Sequence, residues 1–222
     1  MKHLLYCIVE RGLDEPLSGT GLYHLAAHGL AAVVSQVEET HSAPSVSSLL
    51  AYERVVEAIH ARQTVIPLRY GCLMESESAI IHLLEDHRCE YEALLSRLRG
   101  MTEMGIRVLC SDRPEPLPGS SLPPGAAYLA SLRSRYSLGG TFAPEEADLA
   151  ARITGFLSGW YTEECREISR ADQGRLVSLY FLTSQSSVEG FRAEARQIRL
   201  PDGAKVLISG PWPPYNFSLS SG

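Results

Sequence analysis

Lys2-His-Leu-Leu-Tyr-Cys-Ile-Val9 places apolar side chains on both faces of an extended strand, with Leu5, Cys7 and Val9 on one and Leu4, Tyr6 and Ile8 on the other. A half-solvated strand alternates apolar with polar residues; a strand apolar on both faces belongs in the middle of a sheet that is covered on both sides. Working outward, Ala31–Glu38, Thr64–Tyr70, Met104–Cys110 and Leu176–Leu182 have the same character, and Lys205–Ser209 reads as a shorter strand. Pro67 cannot donate a ladder hydrogen bond, so its strand is expected at a sheet edge or Pro67 near a strand end.

Between these strands the apolar period changes from two to between three and four. Leu49, Tyr52, Val56 and Ile59 make one stripe along Ser45–Arg62, the signature of an amphipathic helix. Glu77–Arg99 carries Ile80, Leu84, His87, Tyr91, Leu94 and Leu98, with Ser76 as N-cap and Gly100 past the end. Pro144–Ser169 begins Pro-Glu-Glu, which suits the positive end of a helix dipole, and turns Ala150, Ile153, Leu157, Trp160, Cys165 and Ile168 inward. Val188–Ile198 is a shorter helix with Phe191 and Ala195, and Ala126–Tyr136 a further helical piece.

The stretch from Arg113 to Gly125 is rich in proline and incompatible with regular structure. Before it the order is β-β-α-β-α; from Met101 onward it is β-α-α-β-α-β. The expected fold class is α+β in two small domains. Residues 1–100 form an N-terminal α+β domain and residues 101–222 a C-terminal ferredoxin-like sandwich. The second contains a proline-rich loop at about 111–125 and an aromatic, proline-rich tail over 210–222.

Composition limits the function classes. The chain has 222 residues, 45% hydrophobic and 21% charged, as soluble globular proteins do. A net charge of −6 opposes broad, phosphate-tracking nucleic-acid binding. The apolar run Leu4–Val9 is too short for a signal-peptide core, and no stretch approaches the roughly 20 apolar residues that span a bilayer, so a cytoplasmic protein without membrane partners is expected. The five cysteines are scattered and never in a CxxC pair, which fits reduced, mostly buried thiols.

Motifs for chemistry are absent. His24 and His28, four apart, would share a helix face, but no third ligand or HExxH base is near. His82, Glu85, His87 and Cys89 spread over several helical faces, and His87 falls on the apolar stripe, where a satisfied core histidine is the simpler reading. No GxSxG, Walker A or dinucleotide fingerprint occurs; Gly19-Thr-Gly21 reads as a surface turn. No metal, no cofactor, no catalytic residue and no enzyme activity are expected.

Two segments have unusual residue types. In Val65-Ile-Pro-Leu-Arg-Tyr-Gly71, Arg69 lies opposite Ile66, Leu68 and Tyr70, and reads either as a rim residue paired with a carboxylate or as a partner contact. In Gly210-Pro-Trp-Pro-Pro-Tyr-Asn-Phe217, Gly210 and Pro211 are expected to stop the preceding strand. The prolines stiffen the backbone, and Trp212, Tyr215 and Phe217 supply large apolar faces. Such a tail either clamps across its own two domains or offers a rigid docking surface.

The ending Ser209-Gly-Pro-Trp-Pro-Pro-Tyr-Asn-Phe217 resembles the terminal TGPWPPYSF-type signature of the gas vesicle GvpL/GvpF family. Leu5–Val9 is similar to the family's first strand. Val55-Val-Glu-Ala-Ile59 through Thr64–Gly71 is similar to its helix and "PLRFG" strand, and Gly125-Ala-Ala-Tyr-Leu129 to its "GxAYL" helix start. Tyr70 stands where Phe is commoner, Ser209 replaces a usual Thr, and the loop Pro114–Pro124 is a variable region. The resemblance covers nearly the whole chain. It implies a non-catalytic accessory or minor structural protein that binds the small hydrophobic shell protein GvpA, together with other vesicle accessory proteins. It further implies that the chain prevents aggregation of the shell protein, supports vesicle nucleation and assembly, and is associated with the vesicle. Arg69, Tyr70, Trp212, Tyr215 and Phe217 are the expected partner-binding residues. The rival reading is a ferredoxin-like regulatory protein that senses a small molecule.

Overall fold

The computed structural model describes residues 1–10, 21–37, 45–111, 142–171, 174–200 and 204–218. The proline-rich stretch, the helix expected at Ala126–Tyr136 and most of the Gly19–Gly21 turn lie outside the described residues. The chain forms two compact units, Met1–Glu103 with Pro211–Gly222, and Met104–Gly210. The tail, expected with residues 101–222, thus counts from Pro211 with the first unit, because its side chains and carbonyls are gripped there.

In the first unit, β1 (Lys2–Glu10) is central. Antiparallel β3 (Leu30–Val37) lies on one side of it, followed by β2 (Leu22–Ala27); on the other side lie β4 (Val65–Pro67) and the short β5 (Leu73–Met74). Pro67 closes the edge strand β4, where its missing N–H is harmless. One extra residue, Tyr6, interrupts the β1–β3 register between Leu5 and Cys7. Such a bulge reverses the parity of the strand. Leu4, Cys7 and Val9 therefore share one core face, rather than Leu5, Cys7 and Val9 as strict alternation predicts.

That face is covered by α1 (Val46–His60), whose Tyr52, Val56 and Ile59 pack with Leu4, Cys7, Val9, Ala31, Val33 and Val65. Ser45 caps α1: its hydroxyl accepts from the Ser48 amide while the Ser48 hydroxyl accepts from the Ser45 amide. The other face receives α2 (Glu77–Asp86) and α3 (Arg88–Leu98), which pack on β1 to β4 and bury Ile80, Leu84, Leu94, Leu95 and Leu98.

Two expectations fail here for physical reasons. The single helix expected over 77–99 is broken at His87 (φ −104°, ψ 16°). The break re-phases the following turn, so Leu95 joins the core while His87 is exposed and its Nδ1 lies 3.2 Å from Glu90 Oε2. His24 and His28 do not share a helix face either. His24 lies in β2, and His28 and Gly29, with φ of 49° and 88°, form the two-residue turn of the β2–β3 hairpin. Positive φ at both central positions matches the strand twist, and His is among the residues that tolerate it.

The second unit contains β6 (Met101–Ser111) from Met104 on, α4 (Pro144–Phe156), β7 (Glu163–Ala171), β8 (Gly174–Ser184), α5 (Val188–Ala195) and β9 (Lys205–Trp212) up to Gly210. The strand order is β7-β8-β6-β9. A β-α-β-β-α-β chain with its first and third strands adjacent at the centre of the sheet is the ferredoxin-like arrangement. Met104, Ile106, Val108, Val177, Leu179 and Phe181 meet Leu149, Ile153, Phe191 and Ala195 of the helices.

The helix expected through Ser169 ends much earlier, capped at Leu157, with Gly159 at φ 91° turning the chain. Residues from Glu163 form β7, a strand antiparallel to β8 in which Ile168 is still buried. A register of paired main-chain groups outweighs the local helical pattern. Likewise β9 does not stop at Gly210 but runs to Trp212. Gly210 takes φ 99°, and Pro211 is tolerated because β9 is an edge strand.

Candidate functional site

Tyr52 sits on the α1 stripe among aliphatic residues, where a phenol needs a partner for its hydroxyl. Three carbonyls converge on it: Leu68 O at 2.8 Å, Leu5 O at 2.9 Å and Tyr6 O at 3.2 Å. One proton shared among them ties helix α1 to β1 and to the Leu68–Arg69 backbone. Tyr6 stacks on the Tyr52 ring (centroids 4.7 Å, 18°) and Tyr70 meets it edge-on (5.3 Å, 85°). Tyr215 from the tail packs on the same cluster. Burial, and next the Glu53 carboxylate, push the Tyr215 phenol well above its ordinary range, so it remains protonated. Its hydroxyl is buried and has no hydrogen-bond partner among the described residues.

The tail is held mostly through its main chain. Tyr215 N–H donates to Pro213 O (2.8 Å) and Phe217 N–H to Pro214 O (3.2 Å), making successive tight turns. Thr102 Oγ1 donates to Trp212 O (2.9 Å), Arg97 Nη2 to Phe217 O, and Ser218 Oγ to Pro67 O (3.1 Å). Glu103 is a buried carboxylate that accepts from both the Asn216 amide N–H (2.9 Å) and Asn216 Nδ2 (2.7 Å). A buried charge needs such donors to offset its lost hydration.

The five residues singled out from sequence therefore divide. Tyr70 and Tyr215 meet on the Tyr52 cluster. Phe217 is 5% exposed and serves the core, whereas Trp212 is 41% exposed. Arg69 is exposed and forms no ion pair among the described residues. Sequence reasoning missed Tyr6, Arg97 and Glu103 as elements of this site. The one available signal was a tyrosine on an otherwise aliphatic stripe.

Elsewhere, no group of three or more His, Cys, Asp or Glu side chains is gathered as a metal would require, among the described residues. The cysteines are free thiols; Cys7 is buried, whereas Cys89 is exposed. Among the described residues no helix is long and apolar enough to cross a membrane.

The family model for gas vesicle synthesis protein GvpL/GvpF matches residues 2–218. The chain belongs to the GvpL/GvpF family. Its relatives include gas vesicle protein F2 of Halobacterium salinarum, 24% identical over 209 residues (92% of this chain, 83% of that one). Gas vesicle protein L of a Streptomyces species is 28% identical over 184 residues (76% and 67%). Among solved structures, GvpF from Microcystis aeruginosa matches with a TM-score of 0.72 at 16% identity, covering 99% of each chain. GvpF from Anabaena sp. PCC7120 matches with a TM-score of 0.71 at 18% identity, covering 100% of this chain and 97% of that one. At that identity the likeness shows the shared fold, and the GvpL/GvpF membership makes this a protein of gas vesicle formation.

Proposed function

We propose that this chain is a non-catalytic assembly factor that acts in the cytoplasm at the growing gas vesicle. It binds the hydrophobic shell protein GvpA before polymerisation, prevents its aggregation and supports nucleation of the vesicle. The observation that carries this reading is the family match from residue 2 to residue 218, coupled to a tail held by main-chain hydrogen bonds that leaves Trp212 exposed. A subunit that builds a water-repelling wall exposes apolar surface beforehand, and such surface aggregates unless covered. A backbone already fixed in place lowers the conformational freedom lost when the aromatic side chain it carries binds. Arg69, free of ion pairs among the described residues, supplies a donor that can engage a partner's carbonyl or carboxylate.

The test is co-expression of the tagged chain with the shell protein, followed by affinity capture. Retention of the shell protein by wild type and its loss in Trp212→Ala and Arg69→Ala, each with an unchanged melting curve, are expected. Retention by both variants moves the contact elsewhere, and no retention by wild type discards the proposal.

A further inference from the structure

Helix α1 has a second apolar face that its own unit leaves uncovered. Val46, Leu49 and Leu50 are 75%, 40% and 47% exposed, although the buried face of the same helix is satisfied by Tyr52, Val56 and Ile59. At about 100° per residue, Val46, Leu49, Leu50, Glu53 and Glu57 fall within one sector about 100° wide, forming a single stripe about 16 Å long. The stripe changes character along its length: three aliphatic side chains in the first turns, two carboxylates in the later ones. Glu53 and Glu57 are half-buried and make no ion pair among the described residues. Arg54, further round the helix, is exposed and bridges to neither. Both carboxylates act on Tyr215, so the stripe adjoins the tail cluster.

We infer that this stripe is a docking surface for an amphipathic helix of the shell protein, one whose apolar i, i+3, i+4 face is followed by basic residues that meet Glu53 and Glu57. A helix offers no free main-chain groups along its side, so strand addition is excluded, and the element that best covers a helical stripe is another helix. Partly desolvated carboxylates without partners require cationic ones when docking removes their remaining water. The same charges repel nucleic acid and anionic lipid. This inference rests on the reading that the shell protein is the partner.

The test uses the full chain and the shell protein as probe, comparing wild type with Leu49→Ser/Leu50→Ser and Glu53→Lys/Glu57→Lys, with Phe156→Ser, an exposed residue of the second unit, as control. All substituted side chains are at least partly solvated, so each variant is expected to melt as wild type does. Both double variants are expected to retain about tenfold less shell protein, while the control retains it fully. Wild-type retention is also expected to weaken as salt rises from about 0.1 M toward about 1 M, which shortens the screening length. Full retention by either double variant overturns the assignment and leaves the shell-protein reading standing. Failure of wild type to retain the shell protein overturns both. A chain that dimerises alone, and that Leu49→Ser/Leu50→Ser renders monomeric, gives the stripe to a second copy and overturns it as well.

Discussion

Trp160 and Trp212, the two tryptophans of the chain, are held in opposite ways. Trp160 packs against the core of the second unit and lies so close to α5 that a β-carbon at Gly190 would come within 2.0 Å of its Cζ3. Trp212 is fixed by its carbonyl, which accepts from Thr102, while the residue as a whole is 41% exposed. In the first case the helix has given up a side chain to admit the ring. In the second, only the backbone is held and the ring is left over. The contrast separates a tryptophan that stabilises a fold from one available to another molecule.

Removing the ring from the packed site gives the largest effect: Trp160→Ala is expected to destabilise by about 3 kcal/mol, read as a lower denaturant midpoint. Gly190→Ala is expected to destabilise by about 2 kcal/mol through overpacking, even though Ala is the better helix former. In a Trp160→Ala background the sign should reverse, with Gly190→Ala neutral or stabilising by up to about 1 kcal/mol. Strict additivity of the two would mean that the ring does not rest on the glycine.

On the tail side, Asn216→Ala withdraws a donor from the buried Glu103 and is expected to destabilise by about 1–2 kcal/mol, partly recovered in Glu103→Gln. Acid separates the two regions. Burial holds the His60 imidazole below its ordinary 6.5, and both ring nitrogens lack partners among the described residues. The unfolded chain therefore binds the proton more readily. The stability due to a neutral His60 is complete above pH 6.5 and is lost as pH falls from 6.5 toward the lower folded value. The slope is at most about 1.4 kcal/mol per pH unit, and His60→Leu should flatten it. The smallest effect is expected for Trp212→Ala, within about 1 kcal/mol of wild type, since Thr102 still finds the carbonyl. A large loss there would make Trp212 a core residue and abolish the contrast.

Much of the fold was legible because burial leaves its period in the residues. The two-faced β1, the amphipathic α1 and the strands Met104–Cys110, Leu176–Leu182 and Lys205–Ser209 of the second unit all follow from local pattern. What local pattern cannot show is a change of phase. The Tyr6 bulge, the break at His87 and the switch from α4 to β7 after Gly159 each depend on pairing with a distant strand or helix. In the candidate site, Tyr70, Trp212, Tyr215 and Phe217 stood out by residue type, whereas Tyr6 joins the cluster only through its stacking on Tyr52. Arg97 and Glu103, which hold the tail from 120 and 113 residues away, look like ordinary charged residues until the chain is folded.

The Glu103–Asn216 contact has a consequence for how the first unit closes. Its two partners stand 113 residues apart in the chain, so closing that unit carries the entropy of a long loop, and a chain cut before Asn216 leaves Glu103 with neither Asn216 donor and the tyrosine cluster without Tyr215.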